Sequence, residues 1–319
     1  MKKFLAIIFI ILSFESYSQS GKIYFLKNNG RFVNDKDSAD FMRIVNEPDS
    51  GSVYYKVTEF YPNSVRKLIG TASIYWPKVI WEGPSITFDK QGRKVQHVTY
   101  QKNLPVGAAY YYYPNGRLMK ELDYNAPNPS EKSKGSLKFK LMNYFDSTGV
   151  QLVKDGSGYL KESTKKITEE GNYADGVRHG IWKGTIIEEG TTFEDNYDKG
   201  TFISGKSFNP DGKVVEYTVK DVLPKFPGGE KAFGEFLSKN IKYPAEARSW
   251  GINGRVLLSY IVEKDGSLTN IQVVSSPHHA LEDEAIRVLK RSPKWEPGIQ
   301  NGIPVRVKYT LPVNFSISK

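Results

Sequence analysis

Three groups of residues in this chain of 319 could do chemistry, and the most suggestive is a run of glycines closed by a lysine and a serine. Gly200-Thr-Phe-Ile-Ser-Gly205-Lys206-Ser207 satisfies the G-x-x-x-x-G-K-[ST] spacing with which backbone amides and a lysine cradle the phosphates of a nucleotide. Such a loop needs a buried strand before it and a helix after it. Here the preceding residues, Phe193 to Lys199, are polar and acidic, and the following Phe208-Asn-Pro210-Asp-Gly212 breaks helices. Its glycines also keep register with Gly176 and Gly180, so the pattern reads as part of a repeat, and no nucleotide is expected. The second group, His278-His279, lies in a turn where two adjacent histidines chelate poorly without further ligands, so no metal is expected. The third is aromatic: Tyr110 to Tyr113, Trp76, Trp81 and Trp182 could stack on sugars or fill a β core.

Beyond these the chain offers no catalytic constellation. It has no Gly-x-Ser-x-Gly elbow, no His-Glu-x-x-His and no paired acid and base, and the expectation is a non-enzyme without cofactors. The absence of cysteine removes disulfides, thiolate metal sites, cysteine nucleophiles and lipid attachment through a thiol. The net charge of +10 is spread along the chain without a block of five like charges, which argues against a nucleic-acid partner.

The elements around these residues begin with a leader. Met1-Lys2-Lys3, the apolar Phe4 to Leu12 and the small Ser16 and Ser18 form a secretory signal, residues 1–18, with cleavage expected before Gln19. The apolar stretch is about half of the roughly 20 residues a membrane span needs. The mature protein is therefore expected in the periplasm; the alternative is an uncleaved inner-membrane anchor.

Residues 19–219 align on glycine. Leu26-Lys-Asn-Asn-Gly30-Arg31, Phe88-Asp-Lys-Gln-Gly92-Arg93, Tyr112-Tyr-Pro-Asn-Gly116-Arg117, Phe145-Asp-Ser-Thr-Gly149-Val150 and Phe208-Asn-Pro-Asp-Gly212-Lys213 share one form, with Phe60-Tyr-Pro-Asn-Ser64-Val65-Arg66 a degenerate sixth. Each carries tight-turn chemistry, in which glycine takes φ > 0, and each predicts a hairpin tip. A second form, Tyr173-Ala-Asp-Gly176 with Gly180-Ile-Trp182 and Tyr197-Asp-Lys-Gly200 with Gly205-Lys-Ser-Phe208, runs between the tips. Flanking residues alternate apolar and polar, as strands do. The expected architecture is a β-rich antiparallel hairpin array in which each unit buries its face on the next. It resembles the MORN-type repeats of bacterial envelope proteins.

Residues 220–319 change texture. Pro224-Lys-Phe-Pro227-Gly-Gly229 reads as a linker, and Glu230 to Asn240 as an amphipathic helix with Phe233, Phe236, Leu237 and Ile241 on one face. Ala245 to Trp250 is a second short helix. Val256 to Val262 and Leu268 to Val274 are strands joined by Asp265-Gly266, a hairpin signal. Ala280 to Arg291 is a helix with Leu281, Ala285, Val288 and Leu289 inward and Glu282, Asp283 and Glu284 in its first turn. Ile303 to Phe315 alternates without a miss and predicts one strand. Pro304 and Pro312 lack N–H groups on the same side, which places that side on an open edge. Arg306, Lys308 and Thr310 then offer free main-chain groups between two stops.

This order of elements resembles the TonB C-terminal domain, through Tyr243-Pro244, Gly251, Gly254, Asp265-Gly266, Trp295-Glu-Pro297-Gly298 and Gly302-Ile-Pro-Val305 to Phe315. The resemblance implies a small α+β domain, helices packed on a three-stranded antiparallel sheet. In that family the domain couples inner-membrane energy to outer-membrane transporters by pairing its last strand with a transporter segment, the TonB box. The residues implied in partner binding are Val305, Arg306, Val307, Lys308, Tyr309, Thr310 and Leu311, acting by β-augmentation. The implied partner is a TonB-dependent outer-membrane transporter or another envelope protein. Family transducers have an uncleaved anchor and a proline-rich spacer, where this chain has a cleavable leader and a repeat. The alternative is accordingly a non-energising envelope scaffold whose repeats dock the cell wall or another envelope component.

Overall fold

The computed structural model describes residues 21–124 and 139–317; the leader and the bond before Gln19 lie outside the described residues. The chain divides into two compact units, Met1–Gly158 and Tyr159–Lys319. Strands β1 (Lys22–Leu26), β2 (Phe32–Val33), β3 (Phe41–Asn46), β4 (Tyr55–Phe60), β5 (Arg66–Ile74), β6 (Ile80–Phe88), β7 (Lys94–Gln101), β8 (Leu104–Tyr112), β9 (Leu118–Tyr124), β10 (Phe139–Phe145) and β11 (Gln151–Lys154) belong to the first. β12 (Ser157–Ser163) straddles the boundary, and β13 (Ile167–Ala174), β14 (Val177–Ile186), β15 (Thr191–Asp198), β16 (Thr201–Phe208) and β17 (Val214–Tyr217) follow in the second. All seventeen belong to one antiparallel sheet, and from β3 onward each strand pairs with the next in the chain.

Every predicted tip is a turn of one geometry. At the tip between β6 and β7, Asp89 N–H donates to Arg93 C=O at 2.9 Å and Gly92 N–H donates back to Asp89 C=O at 2.9 Å. The same two bonds recur at Lys27, Tyr61, Tyr113, Asp146 and Asn209. The fourth residue is left-handed each time, φ 81° at Gly92 and 64° at Ser64 in the degenerate copy. The second form closes in two residues, Asp175-Gly176 (φ 52° and 78°) and Lys199-Gly200 (φ 46° and 80°), the doubly positive turn that matches strand twist.

Glycine has a further use inside the strands. Gly184 faces Phe193 and Gly205 faces Tyr217 across the ladder, and at both a β-carbon would collide with the ring. Gly171 likewise lies under Trp182, which is fully buried. An aromatic ring on one strand thus packs over the bare backbone of the next. The opposite face carries a ladder of alternating charge: Lys161–Glu170 at 3.1 Å, Lys183–Glu194 at 2.8 Å and Lys206–Glu216 at 2.8 Å, with Glu170 opposite Lys183 and Glu194 opposite Lys206. Gly205, Lys206 and Ser207 of the phosphate-loop pattern lie within strand β16, with a tip after it rather than a helix.

The second unit ends in β18 (Asp221–Val222), α1 (Gly229–Asn240), α2 (Ala245–Ser249), β19 (Gly254–Val262), β20 (Leu268–Ser275), α3 (His279–Lys290), β21 (Gly298–Gln300), β22 (Ile303–Val305) and β23 (Val307–Phe315). β20, β19 and β23 form one antiparallel sheet in that order, and β18, β21 and β22 a second. Val256, Leu258, Tyr260 and Val262 of β19, all fully buried, make the centre of a core closed by Leu281, Ala285 and Leu289 of α3 and by Trp295. A long hairpin array followed by a small α+β domain on a three-stranded sheet is the architecture the sequence predicts.

Two expectations change. Pro224 to Gly229 is not a free linker: Phe226 is buried against Phe233, Phe236 and Trp295, and Lys225 bridges to Glu296. The predicted strand Ile303 to Phe315 is broken at Arg306 into β22 and β23, which belong to different sheets. The cause is the turn Asn301-Gly302 (φ 48° and 76°), which folds Ile303–Val305 back on β21 while β19 claims the residues after Arg306.

Candidate functional site

β23 runs along β19 from Val307↔Val262 to Phe315↔Gly254, and among the described residues no strand pairs with its other side. Pro312 sets the parity. It faces Leu257 and has no N–H to give, so this is a non-hydrogen-bonded pair. In an antiparallel ladder the bonding side alternates. Val307, Tyr309 and Leu311 therefore bond to β19, and Lys308 and Thr310 direct N–H and C=O outward. Side chains follow the same alternation: Lys308, Thr310 and Pro312 are exposed, while Tyr309 and Leu311 lie against the core.

Of the seven residues assigned to the edge, Val307, Lys308, Tyr309, Thr310 and Leu311 lie on β23, and Val305 and Arg306 do not. Val305 pairs with Gly298 on β21. Arg306 occupies the bend, where its guanidinium grips Glu263 through Nε at 2.6 Å and Nη2 at 3.0 Å. That grip and a bond from Thr269 hold the Glu263 carboxyl below the usual carboxylate range. Pro304 faces Ile299 in the other sheet, so the open segment runs from the Arg306 bend to Pro312 instead of from proline to proline.

The motif residues Tyr243, Pro244, Gly251, Gly254, Asp265, Gly266, Trp295, Pro297 and Gly298 build the scaffold behind this edge, while the rest of the resemblance, Gly302 to Phe315, contains the edge strand itself. The Tyr243 hydroxyl donates to Ile252 C=O, and its ring packs on Phe315. Pro244 precedes α2 in extended conformation, Gly251 ends that helix at φ 62°, and Gly254 (φ 147°) lies against Pro277. Asp265 caps its own turn by accepting from Ser267 N–H and pairs with Lys294 at 2.6 Å, contacts that pull its carboxyl well down. Gly266 leaves no room for a side chain beneath Trp295, whose N–H donates to Gly266 C=O at 2.8 Å. Pro297 follows Glu296, which pairs with Lys225, and Gly298 lies under Val307 and Pro224. Together they fix the hairpin β19–β20 and Trp295 behind the core face of β23.

Two features were not legible from spacing. Asn301 is fully buried at the β21–β22 turn, where its Nδ2 lies 2.9 Å from the Tyr217 hydroxyl and 3.3 Å from both carboxylate oxygens of Asp195. Ser207 Oγ donates to Asn301 C=O, and Asn301 N–H donates to Lys220 C=O at 2.8 Å. Lys220 pairs with Asp195 at 2.6 Å; burial opposes its charge, yet bonds to Asp195 and Tyr197 leave its pKa raised. The dipeptide Asn-Gly was the available signal. Glu284 is the other: read as a first-turn dipole partner, it is buried and accepts from Lys242 N–H at 2.6 Å and from Arg287.

His278 and His279 meet Glu246, with Nε2 atoms 3.8 and 3.6 Å from its oxygens, and these three could hold a metal ion. His278 has another duty. Its Nδ1 accepts the Ala280 N–H at 3.2 Å and caps α3, so the neutral ring carries its proton on Nε2, the atom facing Glu246. Chelation through that atom would break the cap.

Residues 239–317 match the sequence model of the family described as Gram-negative bacterial TonB protein C-terminal. Among curated proteins no sequence matches the chain. The matched span begins in α1 and ends just past β23, so it holds the whole β20–β19–β23 sheet and its open edge. Among the described residues no helix is long and apolar enough to cross a membrane.

Proposed function

We propose that this chain is a periplasmic, non-enzymatic TonB-like protein that binds a segment of an outer-membrane transporter or another envelope protein by strand addition to β23, and so takes part in transport across the outer membrane. The observation that carries the reading is the open edge of β23 at Lys308 and Thr310, in a domain whose sequence matches the TonB C-terminal family. Main-chain bonds to these two residues supply affinity, and alternate side chains supply selectivity. Titration of the full chain with TonB-box peptides tests it. Binding that is lost in Lys308→Pro supports the proposal; no binding, or binding indifferent to that proline, overturns it.

A second reading is favoured by the burial of Asn301 among Asp195, Ser207 and Tyr217, which fixes the terminal domain to strands β15 to β17. On that reading the chain is a scaffold whose repeats dock cell wall and whose terminal domain is an adaptor. It predicts that residues 19–219 alone sediment with isolated sacculi.

A further inference from the structure

A groove of about 620 Å³ opens at the N-terminal end of β23. One wall is Ile167 and Ile186, paired across β13 and β14 in the repeat, and the other is Leu223, Ile299, Val305 and Val307 of the terminal domain. Leu223 is 72% exposed, so an apolar side chain stands open beside an apolar recess. Its neighbour Val222, which also lines the groove, is 39% exposed, so two adjacent apolar side chains stand at the opening.

The rim is charged unequally. Glu189 is held by Lys264 and Arg306 chiefly by Glu263, with Glu188 also close enough to favour the Arg306 charge, so three carboxylates line the groove against two cations, Lys166 and Arg306. The surplus is negative. Val307 lines the groove and begins β23, so the recess lies at the end of the strand next to Lys308, the first outward-facing residue of the open edge. A strand paired at Lys308 that continues two residues past Val307 advances about 7 Å, enough to enter it.

We infer that the groove receives the end of the same extended segment that adds to β23, and that it selects an apolar side chain next to a basic one. The inference rests on the strand-addition reading. It makes the last repeats half of the recognition site: Ile167 and Ile186 read the residue that β23 itself cannot reach.

The test uses the full chain and fluorescein-labelled synthetic peptides in an anisotropy titration. The host peptide is Thr-Val-Thr-Val-Thr with blocked ends; two others add Leu-Lys at its C-terminus or N-terminus. One extended peptide is expected to bind about tenfold tighter than the host, the gain from burying one leucine. In Leu223→Glu, a change at an exposed position, the ratio of extended to host affinity should fall to about one. Two extended peptides within twofold of a host that does bind would overturn the groove and leave strand addition standing, as would a gain that survives Leu223→Glu. Host binding indifferent to Lys308→Pro, or no binding by any peptide, would overturn both.

Discussion

Asn301 and Asp195 meet across 106 residues of sequence with neither side chain exposed: the Asn301 amide nitrogen is 3.3 Å from both oxygens of the carboxylate. A buried carboxylate needs partners, and Asp195 takes its others from Tyr217 and Lys220. The amide cannot be turned over, because its oxygen would then face the carboxylate; that oxygen is left without a partner. The turn of one hairpin is thus plugged into a polar slot made by the last strands of the array, and the edge strand that follows two elements later inherits its placement.

Asn301→Ala should lower stability by about 2–3 kcal/mol, since it removes bonds to a buried charge and keeps a left-handed backbone that alanine resists. Thermal unfolding followed by near-UV circular dichroism measures it. A change within about 0.5 kcal/mol, the usual surface value, would mean that the slot holds nothing.

Edge parity predicts opposite outcomes for neighbouring prolines. Lys308→Pro and Thr310→Pro remove outward N–H groups and should fold. Tyr309→Pro removes a bond to β19 and should cost about 3 kcal/mol or more. Equal losses for Lys308→Pro and Tyr309→Pro in urea unfolding would contradict the register.

Glu284 gives the terminal domain an acid-sensitive contact. Burial works against its charge, but hydrogen bonds from Arg287 and from Lys242 N–H outweigh it and lower its pKa. A carboxylate lowered on folding contributes stability that is complete above its unfolded pKa of about 4.3 and is lost as pH falls below it towards the folded value. Glu284→Gln should therefore destabilise by about 1–3 kcal/mol at pH 7, and the difference from the parent should shrink towards pH 3. Melts from pH 3 to 7 that run parallel would place the acid sensitivity elsewhere.

Glycine under an aromatic ring should be as demanding as any core position. Gly184→Ala puts a methyl group into the Phe193 ring and the Thr168 carbonyl, and the expected cost is about 2–4 kcal/mol. Gly116, at an exposed tip with open space around it, is expected to tolerate Asn, which accepts the left-handed backbone. Denaturant midpoints of the two variants test the contrast.

Much of this fold was legible because its signals are local. A tip that needs φ > 0 writes glycine into the chain, and period-two alternation marks the strands between. The terminal helices and the hairpin at Asp265-Gly266 could be read for the same reason. The break at Arg306 could not: Ile303 to Phe315 alternates perfectly through it, because both β22 and β23 are half-buried strands and the pattern says nothing about which sheet each joins. Asn301 and Phe226 were missed on the same ground, since their partners lie far away in sequence and one reads as turn chemistry, the other as linker. At the edge, Pro312 lies where its missing donor predicts, whereas Pro304, read by the same rule, belongs to the other sheet.

Amide exchange along β23 tests the central claim most directly. Without a partner, Lys308 and Thr310 should exchange at rates near those of unstructured peptide while Tyr309 and Leu311 stay protected, and a saturating TonB-box peptide should slow Lys308 and Thr310 by at least about tenfold. Protection of Lys308 and Thr310 in the free protein, or rates that the bound peptide leaves unchanged, would contradict strand addition at this edge.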